Sequence, residues 1–219
     1  IDLSSVDLAV LSHGHYDHGG GLARFFELND RAAVVMARTA DAPHYAGLPF
    51  ARREVGIKAG ALDRYRDRFR FVDADAEPSP GVHLLADIGQ VHPWVRFNRS
   101  LGFLRGGRVV RDDLAHEIAM AVRLPDGLAV FTGCGHRGVL NMVDAARAKF
   151  PGLPILAVIG GFHLGGVPGK SANMRTTHTA IKHAAQTDQK TSLRYREQNG
   201  PVFPKTATNT RRGTIGTSG

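Results

Sequence analysis

Three histidines and one aspartate fall within six positions near the start of the chain, at His13, His15, Asp17 and His18. Imidazole nitrogens and carboxylate oxygens grouped in this way are typical ligands of divalent transition metals. In an extended loop His13 and His15 point to the same side, because alternate residues share a face. Asp17 and His18 follow a turn and face another direction. One loop is therefore predicted to serve two neighbouring metals, with two ligands for each.

The residues on either side of this loop predict the order strand, loop, helix. Residues 6–11 form a short apolar run, as expected of a buried strand. Three glycines at 19–21 permit a tight turn, and residues 22–28 place apolar side chains on one helical face. The candidate ligands then lie at the C-terminal end of a strand, where α/β layers place their sites.

The same order of apolar strand, glycine and histidine occurs twice more. Residues 128–132 lead through a glycine to His136, and residues 153–159 lead through a second glycine pair to His163. Strand ends on one edge of a sheet lie close together in space. We therefore expect His136 and His163 to converge with the first loop.

The rest of residues 1–163 predicts further regular elements with three less regular segments between them. Strands are predicted over 32–37, 69–72, 82–86 and 117–124, and a helix over 138–149. Residues 40–68 are interpreted as a mixed basic surface, residues 77–81 as a turn, and residues 92–108 as an irregular loop that overhangs the site.

The net charge of +8 is concentrated at the C-terminal end. From Lys170 onward there are nine Lys or Arg and two Asp or Glu, which leaves the preceding residues close to neutral. A near-neutral body argues against a nucleic-acid-binding enzyme. Cys134 is the single cysteine, which fits a reducing cytoplasm. No apolar run is long enough to span a bilayer.

Residues 168–219 differ from the preceding chain in composition. Ten of the twelve threonines lie there, and apolar residues are few. We predict a basic tail that is disordered or foreign to the domain before it. An RNA-binding arm is the weaker interpretation, because no aromatic stacking pattern accompanies the charge.

Four segments together resemble one branch of the metallo-β-lactamase superfamily. They are SHGHYDHGGGL, DDLAHEIAM, TGCGHRGVLNMV and VIGGFHLGG. The branch comprises metal-dependent hydrolases related to 7,8-dihydropterin-6-yl-methyl-4-(β-D-ribofuranosyl)aminobenzene 5′-phosphate synthase. The resemblance spans residues 1–167 and implies an α/β fold, the four-layer αββα sandwich of the superfamily.

The resemblance also implies a ligand set. His13, His15 and His136 would hold one metal, and Asp17 and His18 would contribute to a second together with His163. The superfamily usually has an aspartate in the fourth ligand segment, where this chain has His163. The implied cofactor is Zn²⁺, one or two ions, with Fe or Mn as alternatives.

Two departures from the family pattern concern the ends of the chain. Members carry strands ahead of the first ligand loop, and Ile1 begins after most of that region. Members also end in a further histidine within a segment like HCTG, which has no match after Leu164. We therefore expect residues 1–167 to be a metallo-β-lactamase-like domain that is incomplete at its N-terminus.

The expected function is that of a metal-dependent hydrolase acting on a small molecule, pterin- or phosphate-ester-like, through a metal-activated water. Asp17 would be the catalytic residue, because its carboxylate can orient or deprotonate that water. The alternatives are an inactive metal-binding fragment of such an enzyme and a nuclease of the superfamily. The expected partner is a small-molecule substrate, with no membrane; the oligomeric state is not predicted.

Several other polar residues have more ordinary interpretations. Cys134 is interpreted as a small buried residue. Asp112, Asp113 and Glu117 either support the ligand shell by hydrogen bonds or cap the turn before a strand, and both interpretations remain open. His44 and His116 stand alone in the sequence and are interpreted as ordinary surface or hydrogen-bonded histidines.

Overall fold

The computed structural model describes residues 1–58, 60 and 62–163, and this part of the chain contains twelve strands, three α-helices and four short 3₁₀ helices. The strands are β1 (Leu8–Val10), β2 (Ala33–Ala37), β3 (His44–Leu48), β4 (Ala51–Glu54), β5 (Phe69–Val72), β6 (Ala76–Ser79), β7 (Val82–Leu85), β8 (Leu101–Arg105), β9 (Arg108–Arg111), β10 (Ala119–Leu124), β11 (Gly127–Phe131) and β12 (Ile155–Ile159). The helices are α1 (Tyr16–Gly19), α2 (Leu22–Leu28) and α3 (Val139–Lys149).

The strands form three sheets. A three-stranded parallel sheet has the order β1-β2-β5. A five-stranded sheet has the order β12-β11-β10-β7-β6, in which only β11 and β12 are parallel. A four-stranded antiparallel sheet has the order β4-β3-β8-β9. Because β11 and β12 are parallel neighbours, their C-terminal ends meet at one edge.

The first two sheets pack against each other and are flanked by helices. Strand β2 is buried at four consecutive positions, so both of its faces are covered. Phe26 of α2, Val35 of β2 and Leu84 of β7 share one core cluster. On the far side, Met142 of α3 packs with Val130 of β11 in a second cluster. The layers therefore run helix, sheet, sheet, helix, as the αββα prediction requires.

Two interpretations of irregular segments were wrong. Residues 40–68 contain β3 and β4, and residues 92–108 contain β8 and the first residue of β9. The sequence pattern of a strand could not be recognised for β4, because all four of its residues are exposed and apolar and polar residues do not alternate. The predicted turn at 77–81 overlaps β6, an edge strand, where Pro78 is tolerated because its missing N–H faces no partner strand.

The predicted tail, residues 168–219, lies outside the described residues, and the boundary after residue 167 stays a prediction. Among the described helices, none has both the length and the apolar character needed to cross a membrane.

The shared core between the two sheets leads to a prediction about Leu84. Its side chain is fully buried, so the change Leu84→Ala should lower the free energy of unfolding by about 2–5 kcal/mol. The change Leu124→Ala, at a position 39% exposed, is the matched control and should cost less than about 0.5 kcal/mol. Urea denaturation of both variants measures the difference. Equal midpoints would show that the sheets do not share this core.

Candidate metal centre

The first ligand loop follows β1 and is held by backbone hydrogen bonds to the segment after β4. The N–H of Tyr16 donates to the carbonyl of Val55 at 2.9 Å, and the N–H of Ile57 donates to the carbonyl of Gly14 at 3.2 Å. These bonds flank His15, which is 6% exposed, while His13 is fully buried. The loop therefore directs both histidines into the protein rather than into solvent.

The glycines that precede the other two histidines allow close approach of backbone segments. A Cβ on Gly133, after β11, would overlap the Ser12 hydroxyl and lie 2.9 Å from His13 Nδ1. Gly160, after β12, has φ +142°, and a Cβ there would overlap the carbonyl of Thr132. The order strand, glycine, histidine thus has a steric cause, because only glycine lets the strand ends meet.

The structure brings the histidines of the three strand ends together. The ring centroid of His13 lies 4.7 Å from that of His15, 5.1 Å from that of His136 and 4.2 Å from that of His18. The rings of His15 and His136 are 4.9 Å apart, and those of His136 and His163 are 4.5 Å apart. The convergence expected from three separate segments is therefore present in the fold.

Asp17, His18 and Cys134 form the exposed rim of this cluster. The Oδ2 atom of Asp17 is 3.9 Å from His18 Nε2, and the Asp17 side chain is 55% exposed. His18 Nε2 is 3.2 Å from the sulfur of Cys134, and one potential ligand atom from each of the three lies within 4.8 Å of the others. Cys134, interpreted from the sequence as a plain buried residue, is half-buried and belongs to the site.

Hydrogen bonds orient several rings through Nδ1, and in His13 and His136 they leave Nε2 without a partner among the described residues. Ser12 Oγ lies 3.0 Å from His13 Nδ1 and 3.2 Å from His18 Nδ1. Asn98 Oδ1 lies 3.1 Å from His136 Nδ1, and the Asn98 amide donates to the carbonyl of His136 at 2.6 Å. Partners of this kind fix the orientation of imidazoles that bind a metal.

Four ring nitrogens in this cluster are buried without a hydrogen-bond partner among the described residues. They are His13 Nε2, His15 Nε2, His136 Nε2 and His163 Nδ1. A buried polar atom without a partner is costly. The donor set suits a zinc-like ion, so the residues present fit the metal that the sequence implies.

Burial and mutual repulsion keep these histidines neutral. Burial, and after it the neighbouring histidines, lower the pKa of His13 well below its ordinary value. The same causes lower the pKa of His15 to about 2 and that of His136 to about 3. Near pH 7 each ring therefore has an unprotonated nitrogen available for a cation. Burial raises the pKa of Cys134 to about 11, so that side chain is a thiol.

Two buried carboxylates stand behind the ligand loops. Of the two interpretations of His44 and His116, the surface one was wrong, because both rings are buried; each ring makes one hydrogen bond through Nδ1, as the other interpretation expected. Both rings are buried, and both lie 3.2 Å from Asp112 Oδ2, through His44 Nδ1 and His116 Nε2. Burial raises the pKa of Asp112, but the two rings and the N–H of Leu114 together lower it more. Glu117 accepts the N–H of His136 at 2.9 Å; burial, only partly opposed by backbone N–H groups, raises its pKa to about 7.

Some residues of the site carried little signal in the sequence. Asn98 is a lone asparagine in a segment interpreted as an overhanging loop, and nothing in its neighbours marks it. The same loop places Phe97 in a stack on His163, with centroids 4.9 Å apart. Asn141 of α3 accepts the N–H of His92 at 2.7 Å and donates to the His92 carbonyl at 3.0 Å, and so positions the start of this loop.

Comparison with known proteins agrees with this geometry. A family profile described as the metallo-beta-lactamase superfamily matches residues 1–134. A 7,8-dihydropterin-6-methyl-4-(beta-D-ribofuranosyl)-aminobenzene-5'-phosphate synthase of Methanocaldococcus jannaschii is 30% identical over 184 residues, which cover 75% of this chain and 58% of that protein. An uncharacterised protein of the same organism is 29% identical, over 76% of this chain and 61% of its own length.

A solved structure shares the fold. The crystal structure of a metal-dependent hydrolase of the beta-lactamase superfamily superposes with a TM-score of 0.65 and 27% identity, covering 78% of this chain and 63% of that one. The chain thus spans about three fifths of the length of each of these relatives. The family profile, the αββα layers and the clustered histidines lead to one conclusion: the chain belongs to the metallo-β-lactamase superfamily.

Proposed function

We propose that the chain is a metal-dependent hydrolase that acts on a small molecule through a metal-activated water. The observation that supports this most strongly is the set of buried, unpartnered ring nitrogens on His13, His15, His136 and His163. Leaving one such group unpaired costs about 1–3 kcal/mol. A divalent cation would remove that cost for several nitrogens at once, and neutral imidazole is the form that binds it.

The proposed ligands divide into two sets. His13, His15 and His136 would hold one ion, and Asp17, His18 and His163 would hold the second. Zn²⁺ is the proposed cofactor, as one or two ions, with Fe and Mn as alternatives because histidine and carboxylate serve all three. A bound ion would supply a water of lowered pKa and would polarise the oxygen of the bond under attack.

Asp17 is the proposed catalytic residue. Its carboxylate lies on the exposed rim, where it can contact a solvent molecule and a substrate together. From there it would orient the attacking water or take its proton. The Cys134 side chain, as a protonated thiol, is a poor nucleophile, which favours water as the attacking group.

The proposed substrate is a small pterin- or phosphate-ester-like molecule. The name of the M. jannaschii relative describes a ribofuranosyl-aminobenzene 5'-phosphate product, which supports this class. The near-neutral charge of residues 1–169 disfavours a polyanionic nucleic acid. The presence of one cysteine in the sequence supports a cytoplasmic enzyme.

Removing single ligands tests the proposed function. The change His15→Ala should weaken zinc binding by more than about 100-fold, beyond the 10–100-fold effect of residues that only orient ligands. The change Asp17→Ala should lower kcat by about 10²–10⁴-fold. Zinc content is measured by elemental analysis. Turnover is measured on p-nitrophenyl phosphate, bis(p-nitrophenyl) phosphate and a lactone.

The change His83→Gln is a suitable control, because this ring packs on Phe150 and takes no part in the cluster of rings described above. Its zinc content and turnover should match those of the unmodified chain. Full turnover by a metal-free His15→Ala protein would sink the mechanism. Full zinc occupancy without turnover on any substrate would instead favour an inactive metal-binding fragment.

The buried histidines should make the metal-free protein sensitive to acid. The folded pKa values of His13, His15, His116 and His136 lie below the ordinary 6.5, so below that pH the unfolded chain binds protons that the folded chain does not. Each such histidine lowers the free energy of unfolding by about 1.4 kcal/mol per pH unit. Glu117 acts oppositely between its ordinary 4.5 and about 7, because it is protonated earlier in the folded state.

Because four histidines lower the free energy of unfolding on acidification and one carboxylate raises it, this free energy should fall by several kcal/mol between pH 7 and pH 5.5. Urea denaturation in the presence of a chelator measures this slope. The change His15→Asn should reduce the slope of the unfolding free energy against pH by the contribution of one histidine. A metal-free protein that becomes more stable on acidification would contradict the assignment of neutral buried rings.

A further inference from the structure

We propose that Asp112, acting through His116, is a positioning residue for the first ligand loop, and that the segment 112–118 fastens two ligand loops at once. This inference rests on the proposed function, because it concerns how the metal ligands are held. Asp112 and His116 would touch neither substrate nor metal.

Asp112 is the centre of a buried hydrogen-bond network. Its Oδ2 atom lies 3.2 Å from His44 Nδ1 and 3.2 Å from His116 Nε2, and its Oδ1 atom accepts the N–H of Leu114 at 2.7 Å. Asp112, His44 and His116 are each no more than 2% exposed. The hydrogen bonds with His44 and Leu114 hold this buried carboxylate in place, because releasing either one leaves a buried polar group unpaired, and they keep it within ion-pair distance of His116 Nε2.

His116 connects this carboxylate to the ligand loop. The N–H of Gly14, the residue between His13 and His15, donates to His116 Nδ1 at 3.1 Å. That nitrogen must therefore be unprotonated, so the ring carries its proton on Nε2, which faces Asp112. The carboxylate thus selects the ring form that can accept the bond from the loop.

The network also adjoins a proposed ligand directly. His15, with its ring centroid 5.3 Å from that of His116 and 5.5 Å from that of His44, contributes to the same buried group of potential ligand atoms as Asp112. His15 Nε2 has no hydrogen-bond partner among the described residues. A carboxylate beside an imidazole that binds a metal raises its basicity and fixes its orientation.

Glu117 and Ile118, which follow His116 in the chain, hold the two loops that carry His136 and His13. Glu117 accepts the N–H of His136 at 2.9 Å and the N–H of Arg137 at 2.6 Å. The N–H of Ile118 donates to the carbonyl of Ser12 at 2.8 Å. Within seven residues the chain therefore bonds the loop that carries His13 and the loop that carries His136.

A metal within the Asp112 group is the competing explanation. It has support in His15 Nε2, His44 Nε2 and His116 Nε2, which are buried without a hydrogen-bond partner among the described residues. Against it, Asp112 already accepts the N–H of Leu114 and lies in hydrogen-bond contact with His44 Nδ1, so a cation would compete with these bonds. The experiment below separates the two explanations.

The decisive comparison is between Asp112→Asn and Asp113→Asn. Both carboxylates accept a backbone N–H two residues further on, but Asp113 is exposed and pairs with Arg105 at 2.7 Å. Each change removes one negative charge at adjacent positions, so general charge effects match. An amide at 112 that accepts from both rings presents its NH₂ group to the Leu114 N–H, so one of the bonds must fail.

Zinc affinity is measured on the full chain by competition with a chromophoric chelator, and ligand geometry by the absorption spectrum of the Co²⁺ form. The change Asp112→Asn should weaken zinc binding by about 10–100-fold and alter the Co²⁺ spectrum. The change Asp113→Asn should leave both within twofold of the unmodified chain, on the order expected for an exposed site. Chelator-treated samples are unfolded with urea to follow stability separately.

A second variant guards against simple misfolding of Asp112→Asn. The change His116→Asn keeps an acceptor for the Gly14 N–H but loses the contact with Asp112, so zinc affinity should again fall. Equal zinc affinity in the Asp112→Asn, His116→Asn and unmodified proteins would overturn the positioning role. Loss of one whole equivalent of zinc with unchanged affinity at the remainder would overturn it in favour of a metal inside the group.

The two proposals fail in different ways. A chain that binds zinc without turnover, and whose affinity depends on Asp112, sinks the hydrolase function and leaves the positioning role standing. A chain that turns over a substrate, and whose zinc affinity is unchanged by Asp112→Asn, contradicts the positioning role and leaves the hydrolase function standing. Failure of the unmodified chain to bind any zinc would overturn both.

Discussion

The structure depends on bringing imidazole nitrogens into a dry interior and orienting them with few other polar contacts. A buried polar atom without a partner costs about 1–3 kcal/mol, and His13, His15 and His136 each present one. Their burial is what keeps them neutral, and neutrality is what makes them ligands. The unpaired nitrogens and the low pKa values thus have one cause, which is burial, and together they suit a site that could hold a cation.

In this fold one nitrogen of a ring is available for a cation, while other hydrogen bonds hold the ring and its loop in place. Rings that face the cluster use one nitrogen for a protein partner, as His13 does with Ser12 and His136 does with Asn98. Backbone amides of the ligand loops are taken by His116 and Glu117. Two buried carboxylates near a pocket of neutral rings would be unfavourable alone. Divalent positive charge nearby would offset them.

The sequence predicted those features of the fold and the site that are encoded in short stretches of consecutive residues. The spacing of His13, His15, Asp17 and His18 lies within one loop, and each strand, glycine, histidine order is written in consecutive residues. The apolar runs therefore placed β2, β5, β10 and β11 nearly correctly. The convergence of the segments after β11 and β12 followed, because these parallel neighbours share an edge. The first ligand loop follows β1 of the other sheet, so its approach to them depends on how the two sheets pack.

The residues that were missed depend on contacts between distant parts of the chain. His44 lies on β3, in a sheet whose strands lack apolar alternation, and it meets Asp112 across 68 residues. Asn98 meets His136 across 38 residues from a short 3₁₀ segment. A single polar residue in an irregular segment carries no mark of such a partner. Asp112, Asp113 and Glu117, in or just before a predicted strand, were the candidate supports that the sequence offered, with a cap before the strand as the open alternative.

The two proposed ligand sets differ in how firmly the protein holds their side chains. This difference affects the direction from which a substrate can reach the site. His13, His15 and His136 are buried, and at least two of them are held by a second bond. Asp17 and His18 lie on the exposed rim, in a helix of only four residues. Buried, oriented ligands lose less freedom on binding, so the first set should bind its ion more tightly. The weaker position is then the one that faces solvent, and a substrate must approach across Asp17 and His18. Catalysis in this arrangement would use the rigid buried set to fix the reacting geometry and the exposed carboxylate to handle the proton.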